Sequence, residues 1–265
     1  MKIMYPSLGE IATSPLVKHE VLFIMRIVSF LFHMVVVILG IYTRKFFFFI
    51  QLTNLTNILS FLYSIFALIS SYQFTMPKFY ETTTLTKVYL RQKPSLVAYI
   101  TQQLQRLSTT MHFVVTFVFW PFVWPTANKD HGMVDIVYFV SAHGLTLAML
   151  LIEGFVSKVQ YNWSNLILCY TYGIVYCIFG ICVFEFTGYD IYTFFDLRVK
   201  SSIFILIGIL PFIAAMNGFV ILLQKLRDFV IVELVNSKSS KDKVTKRVSK
   251  KTKVREEKSY PENSF

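Results

Sequence analysis

Six long apolar runs, with the charged residues gathered between them, constrain this chain more than any other feature. A helix needs roughly 20 apolar residues to cross the hydrocarbon core of a bilayer. Backbone N–H and C=O groups in lipid must be satisfied within the segment itself, so runs of this length predict helices. We therefore expect an all-α, polytopic membrane protein, built as a bundle of about six transmembrane helices. The runs lie at 21–42, 46–72, 108–126, 133–157, 165–187 and 201–224.

Composition divides the chain into three parts. Hydrophobic residues make up 55% of it and charged residues only 15%, which excludes an ordinary soluble domain with charge on every element. We expect residues 1–20 to form an N-terminal cytosolic segment and residues 21–235 to form a six-helix transmembrane domain. Residues 236–265 are rich in Lys, Ser and Glu. Such a composition cannot bury a core, and it predicts a disordered basic tail.

The longest connection between the apolar runs covers residues 73–107. In its second half Leu96, Ile100, Leu104 and Leu107 recur at helical spacing, with glutamines and an arginine between them. This pattern predicts an amphipathic helix that either lies on the membrane or leads into the third run.

The distribution of Lys and Arg predicts the orientation. With both termini in the cytosol, the inside segments hold twenty basic residues and the outside segments five, in agreement with the positive-inside rule. The remaining one, Arg26, is expected to snorkel toward the cytosolic interface. The net charge of +11 lies largely in the tail, which favours contact with anionic lipid headgroups over nucleic-acid binding. Protein partners are not indicated.

Polar side chains interrupt the second run. Thr53, Thr56 and Ser60 have the spacing i, i+3 and i+7, so they share one helix face. Small polar side chains commonly form hydrogen bonds between spans. This face is therefore either a packing surface between spans or part of a reactive site.

His143 in the fourth run is a rarer residue at this depth. It fits a satisfied core donor, a proton relay or a catalytic base. Thr53 lies about 10 Å and His143 about 15 Å from the outer surface, at roughly 1.5 Å per residue. Both belong to the outer half of the bundle, where they can meet. A threonine hydroxyl becomes a useful nucleophile when an adjacent base takes its proton.

Three short stretches give the chain a resemblance to a known family of six-span membrane proteins. They are Leu52-Thr53-Asn54, then His143 followed by Leu151-Ile152-Glu153, and finally Thr187-Gly188 followed by Tyr192, Phe194 and Phe195. The order and spacing of the stretches cover most of residues 20–225. On these stretches the chain resembles the androgen-induced-gene family, which includes the androgen-dependent regulator of tissue factor pathway inhibitor.

The resemblance implies a hydrolase of fatty-acid esters of hydroxy fatty acids. It gives Thr53 the nucleophile position and His143 the base position, and a small register shift would align Thr56 instead. Family members often carry a histidine before the Thr-Gly pair, where this chain has Phe184, Glu185 and Phe186. The substrate is then a lipid ester. The resemblance also favours the endoplasmic reticulum, with the plasma membrane as the alternative.

Several supporting roles stay open in the sequence. Glu185 or Asn57 is a candidate third catalytic residue, and Asn54 or Asn57 a candidate oxyanion donor. We expect His112 and His131 to be surface or interface residues and His33 to face the bundle without an assigned partner. No cluster at metal-ligand spacing occurs, so neither a metal nor an organic cofactor is expected. The competing hypothesis is a non-enzymatic lipid-binding or scaffold protein of the membrane.

Overall fold

The computed structural model describes residues 6–75, 94–126, 132–189, 191 and 207–233. In these ranges the chain is helical, with β pairing limited to an isolated bridge, so the all-α prediction is confirmed for them. The predicted tail, His131, Tyr192, Phe194 and Phe195 lie outside the described residues. The helices are α1 (Leu8–Ala12), α2 (His19–Arg44), α3 (Leu52–Thr75), α4 (Leu96–Val118), α5 (Met133–Val156), α6 (Asn165–Thr187) and α7 (Ile207–Glu233).

Five of these helices are long and apolar enough to cross a membrane: α2, α3, α5, α6 and α7. They correspond to five of the six predicted runs. The chain divides into two compact units, Met1–Gln224 and Lys225–Phe265.

Helix α4 corresponds to the third run but begins twelve residues earlier than predicted. Ser95 caps its N-terminus by accepting a hydrogen bond from the Ala98 N–H. The amphipathic segment therefore leads directly into the third run as one continuous helix. α4 is less apolar than its neighbours because its buried side is polar. The buried polar residues are Thr101, Gln105, Arg106, Ser108, Thr109, Thr110 and His112.

The apolar side chains of α2 and α6 face outward. On α2, Ile24 and Val28 are among the exposed residues, and on α6, Ile167, Ile174 and Ile178 are exposed as well. Polar groups inside and apolar groups outside is the arrangement expected where the surrounding solvent is lipid.

The N-terminal segment packs onto the helices that follow. Ser7 and Glu10 form a reciprocal capping box that begins α1. Ile11 and Ala12 are buried at its end, and α1 contacts α3 and α4. The described part of the N-terminal segment thus contributes a short helix to the packed structure.

Arg26 lies in the interior, so the prediction that it snorkels to the interface is wrong. Its side chain is fully buried and forms an ion pair with Glu153 of α5. A buried partner of opposite charge removes the need to reach water, because the guanidinium is compensated where it stands.

Thr187-Gly188, one of the three stretches behind the family resemblance, forms the end of α6. Gly188 has a φ of 65° in the left-handed region, and its N–H donates to the Phe184 carbonyl at 2.7 Å. Glycine adopts this conformation without the steric cost of a Cβ, which makes it the usual residue at a helix C-terminus. The pair therefore has a structural function here.

Candidate functional site

Thr53 is the second residue of α3 and is buried. The start of this helix is held by Tyr176 of α6. The Tyr176 hydroxyl accepts from the Leu52 N–H at 3.1 Å and donates to the Ile50 carbonyl at 3.1 Å. This contact satisfies one of the backbone N–H groups that a helix N-terminus leaves unpaired. The nucleophile predicted from sequence thus stands on an anchored helix end.

His143 lies in a π-helical segment of α5, Ser141–Leu145. The Thr146 hydroxyl donates to the Ser141 carbonyl, five residues earlier, at 2.9 Å. A second π-helical segment, Phe119–Val123, follows α4. π-Helical turns are rare and occur frequently at functional sites. The bundle therefore carries two of them on neighbouring helices.

The two π-helical segments meet at the His143 ring. The imidazole lies parallel to the Phe119 ring, with centroids 3.4 Å apart and planes 7° apart. The His143 backbone carbonyl accepts from the Thr116 hydroxyl at 2.8 Å and from the Trp120 indole at 3.3 Å. Its Nδ1 is buried and has no hydrogen-bond partner among the described residues. The ring is held by stacking while one of its nitrogens stays unpaired.

The segment that carries His143 contacts α3. One turn earlier on α5, the Tyr138 hydroxyl donates to the Asn54 side-chain oxygen, next to Thr53 in the chain. Within the described residues, no hydrogen bond joins Thr53 to His143. The structure brings together the two segments that sequence analysis selected.

Thr56, the alternative nucleophile, is engaged within its own helix. Its hydroxyl donates to the Leu52 carbonyl at 2.8 Å and lies 3.4 Å from the Tyr172 hydroxyl. A hydroxyl bonded to the carbonyl four residues earlier is a common structural arrangement for threonine in a helix. These contacts give Thr56 a structural role.

The other supporting residues fall into different positions. Asn54 is committed on both sides of its amide, because its nitrogen donates to Gln51 at 3.1 Å and its oxygen accepts from Tyr138. Glu185 is exposed on α6 and is therefore not part of the buried polar interior of the bundle. Asn57 is buried, and its side-chain oxygen contacts His112. Of Asn54, Asn57 and Glu185, only Asn57 is buried with a side-chain group, Nδ2, that has no hydrogen-bond partner among the described residues.

His112 is fully buried on α4, so the prediction of a surface or interface residue is wrong. Its Nε2 lies 3.1 Å from the Asn57 side-chain oxygen, and its Nδ1 lies 3.3 Å from the Ser60 hydroxyl. Nδ1 is also 2.9 Å from the Ser108 carbonyl. The polar clusters of α3 and α4 pair with each other, and this removes both from lipid. The sequence signal for this pairing was the presence of two polar clusters in two different apolar runs.

Two ion pairs join α2 to α5. Arg26 and Glu153 form the buried pair, while Arg44 and Asp135 approach to 3.9 Å at partly exposed positions. His33 is buried, with its Nδ1 3.3 Å from the Ser29 hydroxyl. No group of three or more His, Cys, Asp or Glu side chains within the described ranges is arranged to hold a metal ion.

The helices and the polar interior define an integral, multi-pass membrane protein, with five described helices able to cross the bilayer. No known protein family, curated protein or solved structure matches the chain. Membership of the androgen-induced-gene family therefore stays a prediction from the sequence stretches that contain Thr53, His143 and Gly188.

Proposed function

We propose that this protein is an intramembrane lipid hydrolase that cleaves fatty-acid esters of hydroxy fatty acids, with Thr53 as nucleophile and His143 as base. One observation supports this proposal above others. A buried imidazole with an unpaired Nδ1 occupies a π-helical turn that contacts the helix bearing Thr53. Buried polar groups are normally paired, and an exception in a native core calls for an explanation. A base that awaits a substrate proton provides one.

The reaction follows from the chemistry of the two groups. The Thr53 oxygen attacks the ester carbonyl carbon while its proton passes to His143. The C–O bond to the hydroxy fatty acid then breaks, and the leaving oxygen takes the proton from the imidazole. Water repeats the sequence on the acyl-threonine, which releases the fatty acid and returns the hydroxyl to Thr53. No cofactor is needed for these steps.

The proposed topology has six spans with both termini in the cytosol. In this topology α4 is the third crossing in chain order, added to the five helices identified above. It continues through the π-helical segment Phe119–Val123 to Thr126, a length sufficient to span a bilayer. Its polar side chains face other helices, which makes its low hydropathy compatible with the membrane. The endoplasmic reticulum is the proposed compartment, with the plasma membrane as the alternative. The basic tail would then contact anionic headgroups of the cytosolic leaflet.

The test is hydrolysis of a defined fatty-acid ester of a hydroxy fatty acid by membranes that contain equal amounts of each variant. Thr53→Ala and His143→Ala should abolish turnover. Thr56→Ala is the matched control, because it removes a neighbouring hydroxyl bonded within its own helix, and it should retain activity. If only Thr56→Ala is inactive, the nucleophile is Thr56. A wild-type protein that binds the lipid without cleaving it would instead be a non-enzymatic lipid-binding or scaffold protein.

A further inference from the structure

Ser60, His112 and Asn57 are three buried residues at the contact between α3 and α4. Ser60 approaches an imidazole of another helix directly, with its hydroxyl 3.3 Å from His112 Nδ1. Asn57 contacts the opposite ring nitrogen, Nε2, at 3.1 Å. A hydroxyl, an imidazole and an orienting group in this order are the parts of a nucleophilic centre. Thr53 and His143 are not among these contacts.

A structural role within its own helix does not account for all the contacts of Ser60. Its hydroxyl lies 3.2 Å from the Thr56 carbonyl, which is the ordinary structural bond of a serine in a helix. Ser64, one turn further on the same helix, shows that role by itself. It is buried, it donates to the Phe61 carbonyl at 2.7 Å, and it makes no imidazole contact among the described residues. The contact with His112 is what distinguishes Ser60 from Ser64.

Each nitrogen of the His112 ring lies within hydrogen-bond distance of an oxygen. In a neutral imidazole one nitrogen carries hydrogen and the other does not. With the hydrogen on Nε2, the ring donates to the Asn57 side-chain oxygen and the lone pair of Nδ1 faces the Ser60 hydroxyl. After the proton moves from Ser60 to Nδ1, the Ser108 carbonyl lies 2.9 Å away as an acceptor for the new N–H.

Unpaired donors lie beside the same ring. Asn57 Nδ2 and the Ser108 hydroxyl are buried and have no hydrogen-bond partner in the described part of the chain. A buried polar group without a partner is unfavourable. Both groups can donate to an oxygen that develops negative charge during attack by Ser60. Neither group takes part in the Ser60–His112 contact itself.

We infer that Ser60, His112 and Asn57 form a second reactive centre, which takes a lipid-soluble ester as its substrate. The Ser60 oxygen bonds to the carbonyl carbon of the ester as its proton moves to His112 Nδ1. The bond to the leaving group breaks, and an alkoxide leaving group takes that proton from the imidazolium. Water then hydrolyses the acyl-serine by the same transfer. This inference goes beyond the proposed function, since it requires neither Thr53 nor His143.

A long-chain alkyl fluorophosphonate tests the inference on the full-length protein in native membranes. Attack by Ser60 forms a P–O bond, releases fluoride and leaves a stable adduct that peptide mass spectrometry can locate. The wild-type protein should carry the adduct on Ser60. Ser60→Ala should lose it, whereas Thr53→Ala and the control Ser64→Ala should keep the Ser60 adduct at the wild-type rate.

The roles of the other two residues have their own readouts. His112→Gln should slow labelling at Ser60 by roughly 100-fold or more, the usual effect of removing a general base. Asn57→Asp keeps an acceptor for Nε2–H but loses the Nδ2 donor, so labelling should fall less than in Asn57→Leu, which removes both groups. Size-exclusion profiles of each variant report whether it is folded, and the adduct map of the wild-type protein needs no variant.

An unmodified Ser60 in the wild-type protein overturns the inference, whether the probe reacts elsewhere or nowhere. An adduct on Thr53 alone would support the proposed threonine mechanism and remove the serine centre. An adduct on Ser60 in a protein that cleaves no hydroxy fatty-acid ester would support the serine centre and contradict the threonine mechanism. The two hypotheses are therefore separable by one map and one hydrolysis assay.

Discussion

Arg26 Nε donates to Glu153 Oε1 at 2.8 Å in a buried ion pair that joins α2 to α5. The two terminal guanidinium nitrogens have acceptors of their own: the Ser71 hydroxyl at 2.6 Å, the Ile11 carbonyl at 2.9 Å and the Ala67 carbonyl at 3.3 Å. One side chain therefore ties α1, α2, α3 and α5 together. Glu153 is ten residues from His143, about 15 Å along a helix, so the pair serves the fold and leaves the catalytic proposal unaffected.

Breaking this pair should destabilise the protein strongly. Arg26→Ala leaves Glu153 as an uncompensated buried charge, and a loss of about 3–5 kcal/mol is expected. Arg26→Met combined with Glu153→Leu removes both charges and should cost less than either single change. Reversible unfolding in mixed detergent micelles measures the difference. A double variant less stable than both single variants would contradict the structural interpretation.

The control for this experiment is Asp135→Asn. Arg44 and Asp135 are 3.9 Å apart and partly exposed, so the interaction is screened and contributes about 0–1 kcal/mol. A small effect here beside a large one at Arg26 would show that burial, and not the presence of an ion pair, sets the magnitude.

Phe119→Leu should reduce ester hydrolysis if His143 is the base. The parallel Phe119 ring holds the imidazole, and such aromatic contacts contribute about 0.5–1.5 kcal/mol beyond burial. Loss of that orientation predicts a fall in turnover of about two- to tenfold per folded molecule. Phe117→Leu is the control, because Phe117 is exposed two residues earlier on the same helix. Equal activity in both variants would separate the stack from catalysis.

Gly188→Ala should destabilise the end of α6. A Cβ at a φ of 65° costs about 1–2 kcal/mol. Gly208→Ala tests the same change where the position is helical and no atom lies within 4 Å of the added Cβ. There we expect a neutral effect or a gain of about 0.4–1 kcal/mol. The midpoint of thermal unfolding distinguishes the two, and a Gly188 variant as stable as wild type would argue against the capping role.

Sequence patterns predicted the positions of the helices better than the contacts between their buried side chains. Lipid forces an apolar run of this length into a helix, so α2, α3, α5 and α6 were readable from hydropathy alone. The partners of Arg26 and His112 were not, because pairing between spans depends on helix rotation and neighbour order, which no local pattern records. His143 was selected from its position, but its stack on Phe119 required two π-helical turns that leave no comparable signal in the sequence.

Cysteine accessibility tests the proposed orientation. In a background without Cys169, Cys177 and Cys182, we expect Lys129→Cys to react with a membrane-impermeant maleimide added to the outer or luminal face. Lys158→Cys should react only after the cytosolic face is exposed, because the positive-inside distribution assigns residues 157–164 to the cytosol. Asn162-Trp163-Ser164 in this segment is a glycosylation sequon, and with the segment in the cytosol we expect it to remain unglycosylated. A glycan on Asn162, or the reverse labelling order, would invert the topology and place Thr53 and His143 in the cytosolic half of the bundle.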